Sequence, residues 1–283
     1  MAKKKNAREL REAQKNEKKN HYKEKNAKSK EQMQNVTVSS IAAKAVVVKN
    51  PNFKAETDIE KIRLDQFSLC IRLLSPLHLG AGDGDVNVDA EVVHDSCGMP
   101  YFPAKRFKGM LYESALEVCE MFSECGVQLF SKDDVDRLFQ HRIETDVQLI
   151  IENMYLKDYS QMSEEWEYLE HAYGNVFSRR SLLDTYTSLR YQTKMDPDTG
   201  TAAHTSLHNM RVVDEGLEFY GNIVTKNVSR KEYFLLALAL RNLQYAGLKR
   251  NHGFGEISCC MLQGNKEIGS LLVRHALEEG GIA

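Results

Sequence analysis

Four side chains within residues 78–89 are of types that could do chemistry on a bound ligand. Asp89 lies on a predicted strand, and His78 lies at the end of the strand before it. Asp83 and Asp85 lie in the glycine-bearing loop between them. A carboxylate can position a metal ion or accept a proton, and an imidazole can act as a general base. The alternatives are an Asp bonded to neighbouring backbone and a His that is structural or contacts phosphate.

A basic turn follows this stretch, at the predicted start of a helix. Pro103 suits a helix start, and the free N–H groups of the first turn can bind an anion. Lys105, Arg106 and Lys108 add three positive charges, which the helix dipole disfavours at this end. A bound anion such as phosphate would offset that cost; the alternative is a solvated basic turn.

A second glycine-rich segment lies near the C-terminus, at residues 246–257. Its glycines let backbone come close to phosphates, and Lys249, Arg250 and His252 supply positive charge. The segment therefore predicts a second phosphate contact.

The elements that must position these residues follow from hydrophobic periodicity. Alternating residues predict strands over 64–74 and 217–224, with further strands at 86–94 and through Cys260. Helical spacing predicts helices over 107–122, 229–244 and 270–279. This order fits one α+β domain with an RRM-like or ferredoxin-like core over residues 59–283.

Two segments do not belong to that predicted core. Residues 124–172 are predicted to be a largely helical insertion whose many acids form a solvated face rather than a metal cluster. Residues 190–213 are predicted to form a protruding β-hairpin, because Asp-Pro-Asp-Thr-Gly at 196–200 is a strong turn signal. An ordinary surface hairpin is the alternative to a functional one.

Charge and composition limit the classes of protein to which this sequence can belong. The net charge is −2, but residues 1–30 carry +8, so the remainder carries −10. Residues 1–58 are therefore predicted to be a basic N-terminal arm, either disordered or bound to RNA or a partner. The six cysteines form no C-x-x-C pair, and no apolar run has the length of a membrane span. These features predict a cytoplasmic protein that has reduced thiols and does not enter a membrane.

The motifs of residues 76–109 and 247–255 resemble those of the RAMP superfamily, the RNA-binding subunits of CRISPR interference complexes. The family has a Pro-Leu-His-Ile-Gly-x-Gly loop, then an Asp-bearing strand, then Asp-x-x-Gly-x-Pro-Tyr before a helix. The matching residues are Pro76, Leu77, His78, Leu79, Gly80, Gly82, Val88, Asp89, Asp95, Gly98, Pro100, Tyr101, Phe102, Pro103, Phe107, Lys108, Gly109, Gly247, Arg250, Gly253, Phe254 and Gly255. The sequence departs from the family at Ala104, Lys105 and Arg106, where Gly-Ser-Ser is frequent.

The resemblance implies a backbone-like subunit of a type III effector complex. Its partners would be guide RNA, target RNA and other effector subunits, including copies of itself. Asp89 would be catalytic in target-RNA cutting with Mg²⁺ or another divalent metal, and Met195 would be a hairpin wedge between nucleotides. The implied RNA-binding residues are His78, Gly80, Gly82, Lys105, Arg106, Lys108, Lys249, Arg250, Asn251, His252 and Gly253.

Two other functions remain open within the same family. His78 and His252 leave room for a CRISPR RNA-processing endoribonuclease. A capping or guide-end-binding subunit without catalysis is the other, because some members keep a similar Asp and do not cut.

Overall fold

The computed structural model describes residues 53–82, 84, 87–196, 198, 200–203 and 206–281. Most of the predicted basic arm therefore lies outside the described residues, as do Asp83 and Asp85 of the glycine loop. The last part of that predicted arm, residues 53–58, is described. It differs from the prediction, because Lys54–Ala55 pairs with the main sheet.

The described residues form six α-helices and nine strands. The helices are α1 (Ala104–Glu124), α2 (Lys132–Phe139), α3 (Tyr159–Tyr173), α4 (Arg179–Tyr186), α5 (Arg230–Asn242) and α6 (Gly269–Glu279). The strands are β1 (Lys54–Ala55), β2 (Gln66–Leu73), β3 (Gln148–Ile151), β4 (Tyr155–Leu156), β5 (Thr187–Gln192), β6 (His208–Val213), β7 (Glu218–Lys226), β8 (Ile257–Gln263) and β9 (Lys266–Glu267). None of these helices is both long enough and apolar enough to cross a lipid bilayer.

The main sheet has the strand order of a ferredoxin-like domain. Its order is β1-β9-β8-β2-β7-β3, with β4 also paired to β7. The four strands β8-β2-β7-β3 are antiparallel, and α1 and α5 provide the two helices of a β-α-β-β-α-β unit. The α+β class and the ferredoxin-like core predicted from the sequence are confirmed.

The core lies between this sheet and its two helices. In β2 the side chains of Phe67, Leu69, Ile71 and Leu73 are all buried, as the alternating sequence predicts for one face of a strand. Helices α1 and α5 pack against each other over the sheet. Burial of these alternating side chains fixes the register of β2, and therefore the position of the loop that follows Leu73.

The region predicted as an insertion contains part of the core. Strand β3 pairs with β7 at the edge of the sheet, and β4 extends the same edge. Only α2 and α3 match the helical content predicted for residues 124–172. The four-residue β3 has too few alternating positions to stand out among the surrounding acids.

The predicted strand over residues 86–94 is not a continuous strand in the structure. Its described residues make single bridges to three different partners: Val92 to Gly80, Ala90 to Met210, and His94 to Pro100. Because the partner changes every few residues, no hydrogen-bonded ladder forms. The segment crosses between elements and carries Asp89 over the base of the hairpin.

The predicted hairpin is formed by β5 and β6, which pair in register from Thr187 with Val213 to Gln192 with His208. A further bridge joins Met195 to Ala202, and the Gly200 N–H donates to the Asp196 carbonyl at the turn. The pairing begins three residues before the predicted start at residue 190.

Candidate nucleic-acid interface

An open groove of about 680 Å³ lies where the two glycine loops meet the start of α1. The first loop follows β2, and the second connects α5 to β8. The predicted site residues in its lining are His78, Gly80, Gly82, Asp89, Lys105, Arg106 and Arg250. Segments far apart in the sequence therefore bring cations, glycines and the exposed carboxylates of Asp89 and Glu113 to one surface, together with the half-buried Glu91.

Close backbone contact joins the two loops. Gly247 has φ +73°, and a Cβ there would lie 2.5 Å from the His78 carbonyl oxygen. The Leu248 N–H donates to that same oxygen at 3.1 Å. Only glycine fits this position, because a side chain would meet backbone in a left-handed conformation.

His78 forms the floor of the groove rather than an open face of it. The residue is 3% exposed, and its Nδ1 lies 2.7 Å from the Arg211 carbonyl oxygen. Since a carbonyl only accepts, Nδ1 is the donor in this hydrogen bond. The Nε2 atom would lie 3.0 Å from a Cβ at Gly80. This packing gives His78 a structural part in holding the loop to the hairpin.

Asp89 is exposed and is held by a reciprocal pair of hydrogen bonds with Asn209 of β6. The Asp89 N–H donates to Asn209 Oδ1, and the Asn209 N–H donates to Asp89 Oδ2, both at 2.8 Å. Asn209 Nδ2 also donates to the Asn87 carbonyl at 3.0 Å. This clamp fixes the Asp89 backbone and one carboxylate oxygen against the hairpin.

Arg211, on the same strand, is a buried cation that the sequence reasoning missed. It is 2% exposed, and its guanidinium contacts Glu91 at 2.9 Å, Asp184 at 2.5 Å and Thr187 Oγ1 at 2.9 Å. These contacts join the hairpin to the Asp89 segment and to α4. Alternation places Arg211 on the face of β6 opposite Met210 and Val212, so the strand pattern alone gives no sign that it is buried.

The first turn of α1 presents two of its three predicted cations to the groove. Arg106 Nη1 donates to the Gly80 carbonyl at 2.6 Å, which ties the helix start to the first loop. Lys105 is exposed beside it. Lys108 points elsewhere: its Nζ donates to the Leu149 carbonyl at 3.1 Å, and burial lowers the pKa of its ammonium group. The structure does not bring Lys108 to the groove.

The second glycine loop divides its predicted residues between the groove and the hairpin. Arg250 lines the groove. Lys249 Nζ instead donates to Gln192 Oε1 on β5, and so ties the loop to the hairpin base. Asn251, His252 and Gly253 are exposed on the adjoining 3-10 turn, outside the groove lining. Met195 is 57% exposed on the hairpin, beyond the β5–β6 ladder.

The Asp-x-x-Gly part of the motif builds a turn. Asp95 Oδ1 accepts from the N–H groups of Cys97 and Met99 at 2.9 and 2.8 Å, and Oδ2 accepts from the Tyr159 hydroxyl at 2.7 Å. Burial and that bond to Asp95 raise the pKa of the Tyr159 phenol. Gly98 completes the turn with φ +96°. The role of Asp95 is therefore to hold the chain shape before α1.

A divalent metal ion needs several oxygen or nitrogen ligands gathered around one point. Among the described residues, no group of three or more His, Cys, Asp or Glu side chains is arranged to hold a metal ion. Asp83 and Asp85, which are next to Asp89 in sequence, lie outside the described residues. A Mg²⁺ ion held by one carboxylate and by substrate phosphates would still fit Asp89.

The fold and the groove define a ferredoxin-like domain whose glycine loops meet a basic helix start. The sequence profile of the RAMP superfamily matches residues 70–258, from β2 to β8. The chain therefore belongs to the RAMP superfamily. No curated protein sequence matches it.

Two solved structures share the fold at low sequence identity. One is described as the apo state of type III-B Cmr-beta by cryo-EM, with a TM-score of 0.51 and 13% identity, covering 70% of this chain and 98% of that chain. The other is type III-B Cmr-beta bound to cognate target RNA, with a TM-score of 0.50 and 13% identity, covering 69% of this chain and 96% of that chain.

Proposed function

We propose that this chain is an RNA-binding backbone subunit of a type III CRISPR effector complex, and that the groove holds the backbone of guide RNA. The observation that carries the proposal is the convergence of two glycine loops with Lys105, Arg106 and Arg250 on one open groove. Membership of the RAMP superfamily supports it, as does the likeness of the fold to chains of Cmr-beta structures, one of them with target RNA.

Contacts of this kind recognise phosphates rather than bases. Arginine and lysine side chains with glycine backbone position a nucleic-acid strand without reading its sequence. A guide-holding subunit needs that property, because guide sequences differ while the backbone does not. Other effector subunits, including further copies of this chain, would then continue the path along the same RNA.

Cutting of a paired target RNA is the second part of the proposal. The 2′-OH of the target attacks the adjacent phosphorus, the bond to the 5′ oxygen breaks, and the products carry a 2′,3′-cyclic phosphate and a 5′-OH. In this proposal Asp89 takes the 2′-OH proton through Oδ1, since Oδ2 accepts the Asn209 N–H, and the leaving 5′ oxygen takes a proton from water. A divalent ion held by Asp89 and phosphate oxygens would supply neutralisation of the phosphate charge.

The hairpin supplies the distortion that such an attack needs. The hairpin has three large side chains that are each more than half exposed: Tyr191 within the paired ladder, and Leu207 and Met195 beyond it. Apolar side chains inserted between bases unstack them and bend the backbone. Met195 lies nearest the turn and is the proposed wedge, so one cut per copy of the subunit would follow.

RNA binding is tested on the purified full chain with unstructured single-stranded RNA across a salt series. We expect Arg250→Gln to weaken binding similarly for all sequences and to reduce the salt slope by about 0.7, the value for one lost contact to a single strand. The matched control is Arg274→Gln, an exposed arginine on α6 outside the groove lining, which should bind as the wild type does. Equal behaviour of the two variants would refute RNA binding in the groove.

Cutting is tested in the assembled complex with guide and target RNA and Mg²⁺. Asp89→Asn should retain target binding and abolish regularly spaced cuts, because the amide oxygen can still accept the Asn209 N–H while the basic oxygen is lost. An all-deoxy target should not be cut, since it lacks the nucleophile. Unchanged cutting by the Asp89→Asn complex would make Asp89 structural.

One observation favours a second candidate, a guide-holding subunit without catalysis. The Asp89 clamp with Asn209 is a complete structural reason for an Asp at this place, independent of any reaction. In that case Asp89→Asn keeps RNA binding, and the wild-type complex shows no cuts that depend on this subunit.

A further inference from the structure

A second groove of about 520 Å³ lies beside the first. The two share Gly84, Glu91, Lys105 and Arg106 in their linings, so the first turn of α1 is the rim between them. The remaining lining of the second groove includes His94, Tyr101 and Arg179. We propose that the RNA backbone continues over this rim and that Arg179 binds a further phosphate in the second groove. This inference rests on the proposed function.

The charge of the second groove favours an anion. Among the described residues of the lining, Lys105, Arg106 and Arg179 are cations and Glu91 is the one acid. The Glu91 charge is partly offset, because its carboxylate contacts the buried Arg211 guanidinium at 2.9 Å, a cation that it shares with Asp184. The groove therefore keeps a net positive charge from three exposed cations, which a phosphodiester would complement.

The Arg179 guanidinium can still bind an anion, because the side chain that it contacts is not an acid. Arg179 Nη2 lies 3.0 Å from His94 Nδ1, but that nitrogen also lies 2.9 Å from the Asp95 carbonyl oxygen, so the neighbour of the guanidinium is an imidazole with no negative charge whose Nδ1 is shared with a backbone acceptor. A guanidinium has five N–H donors, and a single contact to one ring nitrogen uses few of them. The remaining donors suit the two oxygens of a phosphate.

The fold holds Arg179 in place through the Gly98 turn. Arg179 is the first residue of α4, and a Cβ on Gly98 would lie 2.3 Å from the Arg179 carbonyl oxygen. The turn is itself fixed by Asp95, whose carboxylate accepts from two N–H groups and from the Tyr159 hydroxyl. A cation on a fixed backbone loses less freedom on binding than one on a mobile loop.

Tyr101 adds a fixed aromatic wall to the same groove. Its ring stacks on Tyr155 at 5.5 Å, and Tyr155 stacks on Tyr159 at 4.3 Å. The Tyr159 hydroxyl donates to the Asp95 carboxylate, which also fixes the turn that contacts Arg179. The same carboxylate therefore supports both the aromatic wall and Arg179. The ligand class is the sugar-phosphate backbone of single-stranded RNA, which places phosphates beside the cations and sugars or bases beside the ring.

The test compares Arg179→Gln with Arg250→Gln in the full chain, using a length series of unstructured RNA across a salt series. With RNA long enough to span both grooves, we expect Arg179→Gln to bind roughly tenfold more weakly and to lower the salt slope by about 0.7. With the shortest RNA that still binds, Arg250→Gln should retain its effect and Arg179→Gln should have none. Arg179→Lys should restore the salt slope, and Arg274→Gln is again the matched control.

The outcomes separate the two proposals. If Arg250→Gln weakens binding and Arg179→Gln changes nothing at any length, the second groove is overturned and the first stands. If Arg179→Gln weakens binding of the shortest RNA as much as binding of the long RNA, the path over two grooves is overturned. If neither variant differs from Arg274→Gln, the proposed function fails as well. Unchanged near-UV circular dichroism of Arg179→Gln, expected for an exposed side chain, excludes misfolding as the cause of a loss.

Discussion

At the scale of single residues, the described contacts separate groups that hold the groove together from groups that are free to bind. His78 and Arg211 are buried and bonded within the protein, whereas Arg250 and Lys105 are exposed on the groove. Sequence reasoning placed His78 with the binding residues because its type and position matched a motif. Its burial depends on Arg211, which is 133 residues away and carries no motif of its own.

Gly247 provides a prediction about stability at this scale. We expect Gly247→Ala to lower the free energy of unfolding by at least about 2 kcal/mol, because it combines a left-handed backbone with a backbone clash. The measurement is urea unfolding followed by circular dichroism. The matched control is Gly253→Ala in the same loop: its φ is +80°, but nothing lies within 4 Å of the added Cβ. That variant should lose only about 1 kcal/mol, and equal losses would mean that the contact with His78 does not constrain the loop.

At the scale of elements, long periodic segments were predictable and short or irregular ones were not. The helix predicted over 107–122 is α1, Ala104–Glu124, and the one over 229–244 is α5, Arg230–Asn242. Both helices have apolar residues that recur at helical spacing over several turns. Strand β3 has four residues, so its pairing with β7 is set by tertiary contact rather than by local pattern.

The candidate site, too, was only partly predictable from the sequence. The glycine loops and the basic turn were found because their residue types and order are distinctive. Arg179 was missed, because an exposed cation at a helix start has no pattern of its own. Its place in the second groove comes from the Gly98 turn, 81 residues earlier in the chain, and such a contact exists only once the chain has folded.

The hairpin carries a prediction at the scale of elements. Deleting residues 196–200 removes the turn but leaves the six paired residues of each strand, together with Asn209 and Arg211. We expect guide binding to persist, because the hairpin base that supports the groove remains. Target cuts in the assembled complex should become weaker or irregular, because the proposed wedge at Met195 loses its support. Loss of guide binding, measured on the purified variant, would contradict this separation.

At the scale of the whole molecule, charge is divided along the chain. Residues 1–30 carry +8, and the rest carries −10. We expect deletion of residues 1–35 to leave a folded body, because that segment offers few large apolar side chains to a core. The deletion should also reduce RNA affinity and its salt dependence. A truncated protein that loses its near-UV circular dichroism would show that the segment belongs to the fold.

Strand β1 has a consequence for how the domain is connected. Lys54–Ala55 runs parallel to Lys266–Glu267, the Glu56 N–H donates to the Glu267 carbonyl, and Lys266 contacts Glu56 at 2.7 Å. Within the described residues, the first and last strands are therefore neighbours at one edge of the sheet. The hairpin, in contrast, forms a sheet of its own, so a cut in its turn would break no strand pair of the main sheet.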